Sequence, residues 1–281
     1  MNCHNVPDLA IAYRDACLAE LRALKPGNVH VYAEGHGGTV EDFEVSAQMS
    51  APALTRHGAS VGARILGAIQ ATHARIGWNT NLGIVLLCAP LAAAAEQAGP
   101  LQASLSFVLH GLTLADASDA FAAIRLASPG GLGKSDQHDV VAPATVDLRT
   151  AMATAAERDR IARAYVTDFA EIFEIGLPAL RQARLQDLSD PWCTTAVHMA
   201  FLSYAPDTHI ERKFGHRTAE FVRERASEIL RTVQLGPNAL DPLLALDAEL
   251  KKGDLNPGTT ADFTVATLFA ASLMRFPASN S

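Results

Sequence analysis

Apolar residues recur every three to four positions along almost the whole chain. Residues 8–24 set Leu9, Ala12, Tyr13, Ala16, Cys17, Leu21 and Leu24 on one face, the spacing of an amphipathic helix. Pro26-Gly27 stops that run. The same period predicts helices at about 40–57, 60–76, 81–98, 100–111 and 114–127, then at about 150–175, 177–185, 190–205, 207–213, 215–233, 238–251 and 260–275. Thr39 and Asp42 read as a cap for the second, which Pro52 is expected to kink or break. No run of β-branched residues alternates at period two, and no Asn-Gly or Asp-Gly hairpin turn occurs. The pattern is therefore all-α: a single compact multi-helix bundle over residues 1–281, with functional loops at helix ends. The one long interruption, about 128–149, mixes hydrophobic residues with both signs of charge. It reads as an ordered loop rather than a flexible linker.

Composition narrows the function. The 281 residues are 49% hydrophobic and 19% charged, enough for a sizeable core, and the net charge is −7 with no basic tract. Nucleic acid is excluded as a partner, because such binders need clustered cations to displace phosphate counterions. A small phosphorylated ligand needs only a few. Cys3, Cys17, Cys88 and Cys193 are scattered without zinc-type spacing and read as buried free thiols of a reducing compartment. The N-terminus has no signal-peptide pattern. The longest apolar run, 82–95, is too short to span a bilayer. A cytoplasmic protein without membrane attachment is expected, and a homo-oligomer stays open.

Gly130-Gly131-Leu132-Gly133-Lys134-Ser135 resembles a P-loop only superficially. Ser128 stands where the first glycine belongs, and a helix precedes it instead of a strand. Four other stretches share a grammar: Lys25-Pro26-Gly27-Asn28, Asn79-Thr80-Asn81-Leu82-Gly83, Asp207-Thr208-His209-Ile210-Glu211-Arg212-Lys213 and Asn256-Pro257-Gly258-Thr259-Thr260-Ala261-Asp262. Each abuts a helix end. In a bundle such ends can converge, giving amides and cations for phosphates and carboxylates for Mg²⁺. A nucleotide or polyphosphate substrate follows. The last stretch also has a plainer reading, with Thr259 and Asp262 at capping-box spacing.

KPGNV at residues 25–29, NTNLG at 79–83 and NPGTTAD at 256–262, in this order, resemble the triphosphoribosyl-dephospho-CoA synthase family over nearly the whole chain. The resemblance implies an all-α transferase that takes ATP and 3′-dephospho-CoA, releases adenine and leaves a triphosphoribosyl group on the ribose 2′-hydroxyl. That product is a prosthetic-group precursor for an acyl carrier protein. It also implies that Lys25, Gly27, Asn79, Thr80, Gly83, Asn256, Gly258 and Asp262 lie on substrate-binding motifs, with Asn81 and Thr259 beside them and Asp42 at the family's acidic position. We expect Lys25, Arg212 and Lys213 on phosphates, Asp42 and Asp207 near Mg²⁺, and Asp262 as general base or metal ligand. Family members typically read Asn-Thr-His-Lys-Gly where this chain has Asn79-Thr80-Asn81-Leu82-Gly83. This departure keeps two alternatives open. One is a related phosphoribosyl transferase, using ATP or phosphoribosyl diphosphate on another cofactor precursor, such as one for tetrahydromethanopterin. The other is a nucleotide-binding helical module without catalysis.

Overall fold

The computed structural model describes residues 8–33, 38–128 and 140–274. The first half runs α1 (Leu9–Arg22), α2 (Val40–Leu54), α3 (Val61–Ile76), α4 (Leu82–Ala95), α5 (Leu101–His110) and α6 (Leu114–Ala127). The second runs α7 (Leu148–Ala153), α8 (Arg160–Val166), α9 (Leu177–Leu185), α10 (Asp190–Tyr204), α11 (Thr208–Phe214), α12 (His216–Thr232), α13 (Leu240–Lys252) and α14 (Gly258–Met274). No strand occurs among the described residues, and the all-α expectation holds.

Local chemistry sets about half of the starts. Asp8, Ser60, Asp147 and Asp159 cap α1, α3, α7 and α8, and capping boxes open α2 (Thr39, Asp42) and α6 (Thr113, Asp116). α4 and α14 are apolar on every side and sit in the middle, as helices of that kind must. α14 packs against α1, α4 and α10. A smaller apolar cluster joins α10 and α11 to the outer pair α12 and α13.

Two expectations change. The helix expected at 150–175 is broken: Asp159 starts α8, and Asp168 and Phe169 take left-handed backbone before a π-helical turn, Ile172–Gly176, leads into α9. Pro52 does not break α2, which continues to Leu54; the ring removes one amide, the one that would bond the Gln48 carbonyl. Pro90 lies inside α4 and lacks the N–H that would bond the Leu86 carbonyl. The Tyr165 hydroxyl donates to that carbonyl instead, at 2.7 Å, in a fully buried contact. Cys17, Cys88 and Cys193 are buried free thiols, as expected. Among the described residues no single helix is long and apolar enough to cross a membrane.

Candidate functional site

The four polar loops do converge: hydrogen bonds between distant segments join three of them, and the fourth, Asn79–Gly83, comes in through the close approach of Gly83 to Asp262. Gly27 needs its glycine: φ is +81°, and a Cβ would lie 2.8 Å from the Leu255 carbonyl oxygen and 2.9 Å from Pro257. Its N–H donates to Asp247 Oδ1 at 2.8 Å. Asn28 Nδ2 donates to Asn256 Oδ1 at 2.8 Å. The Lys25 and Asn256 loops thus form one seam. Beneath it lies a group that the sequence reading missed: His30 Nε2 is 3.2 Å, and Lys251 Nζ 3.1 Å, from the Asp247 carboxylate.

Lys25 itself is a correction. It is fully buried, and its ammonium donates to Glu20, to Asn28 Oδ1 (3.0 Å) and to the Val29 carbonyl (2.7 Å). Its three donors are used, so none remains for a phosphate. Burial pushes Lys25 down and Glu20 up, and each opposes the other's loss of charge.

Asp207 is the second correction. Its Oδ1 accepts from the amides of His209 (2.9 Å) and Ile210 (3.2 Å), capping α11. Its Oδ2 accepts from the Thr260 amide (2.7 Å) and hydroxyl (2.8 Å). Asp207 therefore caps two helices, and a carboxylate with four such bonds has little left for a metal. Thr208 and Thr259 join their hydroxyls at 3.1 Å, and a Cβ on Gly258 would touch the His209 ring at 3.4 Å. Because Asp207 supplies the cap from outside, the capping role expected for Asp262 falls away. α14 already starts at Gly258.

Asp262 is left with no hydrogen bond to its carboxylate among the described residues. It lies on α14 directly over the start of α4, where a Cβ on Gly83 would meet its Oδ2 at 2.0 Å. Only a glycine leaves it room. Burial first, then the charges of Asp207, Glu20 and Asp159, raise its pKa well above the usual carboxylate value, with Arg212 opposing. Arg212 Nη1 is 2.6 Å from Asp159 Oδ2, and its Nε is buried without a partner among the described residues. Asp159, also missed from the sequence, thus ties α8 to α11. Lys213 is exposed.

The Asn79-Thr80-Asn81 triplet divides its work. Asn79 Oδ1 accepts from the Leu82 amide at 3.1 Å, Thr80 bonds Ser46, and Asn81 Nδ2 donates to Thr72 at 3.3 Å. Asp42 Oδ2 closes the α2 capping box on the Thr39 amide and hydroxyl, at 3.0 and 2.9 Å. That structural use argues against a catalytic or metal role for it. Among the described residues no group of three or more His, Cys, Asp or Glu side chains is arranged to hold a metal ion. The glycine-rich stretch with Lys134, and His36, lie outside the described residues, as does Cys3.

A crystal structure of a proposed triphosphoribosyl-dephospho-CoA synthase from Archaeoglobus fulgidus is similar to this chain in fold, with a TM-score of 0.67 and 24% identity over 82% of this chain and 98% of that one. No curated protein matches the chain. The CitG family, described as ATP:dephospho-CoA triphosphoribosyl transferase, matches residues 7–280. That span takes in all four converging loops, and the chain belongs to this family of transferases.

Proposed function

We propose that Asp262 is the general base of triphosphoribosyl transfer from Mg-ATP to the 2′-hydroxyl of 3′-dephospho-CoA. The family's reaction joins ATP to dephospho-CoA, so the classes of donor and acceptor follow from membership. The base is assigned on one observation: Asp262 is a carboxylate without a hydrogen bond among the described residues, where four loops meet, and its pKa is raised. A carboxylate raised in this way accepts a proton more readily than an ordinary one.

In the transfer the C1′–N9 bond of ATP breaks and a C1′–oxygen bond forms. The hydroxyl proton passes to Asp262, and adenine departs with the bonding pair and is protonated. Positive charge develops at C1′, as in glycoside cleavage, and an ionised carboxylate nearby favours it. Arg212 and Lys213 are assigned to the triphosphate, with Arg212 exchanging part of its contact with Asp159. Mg²⁺ is assigned to the triphosphate of the substrate, where phosphate oxygens and waters fill most of its coordination. Asn79, Thr80, Gly83, Asn256, Gly258 and Thr259 shape the walls.

Adenine release from Mg-ATP, followed by chromatography with and without 3′-dephospho-CoA, tests the reading. Release that depends on dephospho-CoA, with an adduct of matching mass, is the expected result. ATP binding by calorimetry without release would point to phosphoribosyl diphosphate as donor or to another acceptor. Absence of any ATP binding would overturn the nucleotide reading altogether.

A further inference from the structure

Trp78 links the end of α3 to the Asn79–Gly83 loop and is 38% exposed. Single exposed hydrophobic side chains are ordinary on a protein surface, but this one is held in place and stands at the site. Before it, Gly77 caps α3 in left-handed backbone, φ +86°, with its N–H on the His73 carbonyl at 2.8 Å. After it, Asn79 and Thr80 are pinned by their bonds to Leu82 and Ser46. The Phe43 ring stands nearly perpendicular to the indole, with 85° between the planes and 6.2 Å between the centroids. The Gly38 backbone lies against both rings: a Cβ there would come within 2.8 Å of the indole and 2.9 Å of Phe43. The indole is thus fixed by its chain neighbours, by Phe43 and by Gly38, and still keeps a broad surface open to solvent.

Phe43 and Asn81 line a narrow cleft together with Glu20, and Gly83, two residues beyond Asn81, meets Asp262. Trp78 therefore stands at the same end of the bundle as the buried Lys25–Glu20 pair and the proposed base. The cleft itself is too small for a purine, so a base would rest outside it, on the open indole. The family's reaction takes ATP and dephospho-CoA, and each carries adenine. A base stacks on an aromatic side chain through its π face, whatever its hydrogen-bonding edge, and indole offers the largest such ring. We propose that Trp78 stacks on an adenine base, either that of ATP or that of dephospho-CoA. The proposal rests on the nucleotide reading above and adds an aromatic subsite to its polar one. Stacking holds the ground state and the transition state alike, so its loss should appear in KM rather than in kcat.

The chain has two tryptophans, Trp78 and Trp192. Trp192 packs partly buried against the smaller apolar cluster, so the full-length Trp192→Phe variant leaves Trp78 as the single indole reporter. Saturating Mg-ATP and 3′-dephospho-CoA, added separately, should quench its fluorescence in at least one case, and the substrate that quenches carries the stacked base. Inorganic triphosphate and pantetheine, which lack adenine, should not quench. Trp78→Ala should raise KM for the quenching substrate about 5–150-fold and leave kcat within about twofold. Trp78→Phe should recover most of that loss. Quenching by neither substrate, while calorimetry shows that they bind, would overturn the stacking alone. So would equal quenching by the two controls, or an unchanged KM in Trp78→Ala. Because Trp78→Ala can disturb the loop, the fluorescence series, which keeps Trp78, decides independently. If calorimetry shows binding of neither substrate, the function proposed above fails and the stacking falls with it.

Discussion

Asp207 and Asp262 both bear on the first turns of α14, and they are opposites. Asp207 is buried and its oxygens accept four hydrogen bonds, two from each of two helix starts. Asp262 accepts none among the described residues and faces Gly83, Arg212 and further acids. The first carboxylate holds the architecture; the second is held by it. Counting the hydrogen bonds of each acid separates the two roles, where residue type and loop position do not.

Asp262→Asn should break the comparison most sharply. Adenine release should fall by about 10²–10⁴-fold, while stability moves the other way. A carboxylate whose folded pKa is raised contributes stability that is full below its unfolded pKa, near 4, and lost as pH rises through the folded value. The variant should therefore melt above wild type at pH 8, and this gain should vanish as pH falls towards 4. A lower melting temperature at pH 8 would restore Asp262 to a structural role.

Asp207→Ala should do the reverse, lowering stability by about 3 kcal/mol in denaturant titrations as four donors lose their acceptor. Gly83→Ala tests the space between α4 and α14. Its methyl group would displace the Asp262 carboxylate, the free end of a side chain, and also press on Ile161. Activity should fall at least tenfold while stability drops by about 1–3 kcal/mol. Tyr165→Phe is the smallest change. It strands the Leu86 carbonyl above Pro90 and should cost about 1–2 kcal/mol, seen as a lower melting temperature with KM for ATP unchanged.

The helices were legible because many of them carry an apolar period, α4 and α14 are apolar throughout, and half a dozen carry a capping residue. That the loops meet was legible too, since small polar residues gather at one helix end after another. Which partner each residue takes was not. Gly27 bonds Asp247 from 220 residues away, and Asn28 bonds Asn256 from 228, and no local pattern encodes such a pair. Lys25 looks like a phosphate-binding cation because its sequence neighbours are turn residues at a helix end; its burial comes from α1 and the loop closing over it. Glu20 did leave a signal: it stands three residues after Cys17 and seven after Tyr13, a charge on the apolar stripe of α1. Asp159 left none, because its surroundings look like the interior of a helix.

The central helix has a consequence for how the chain comes to be made. α14 is the last of the described helices in sequence, yet α1, α4 and α10 all pack on it. During synthesis the earlier helices emerge without the surface that they are shaped to cover, and contacts of such long sequence separation form slowly. The apolar sides of α1 and α4 wait, exposed to other chains, until residues 258–274 arrive. A ribosome pausing before that point would hold an aggregation-prone nascent chain with no Asp262. Activity and protection from aggregation arrive in the same event.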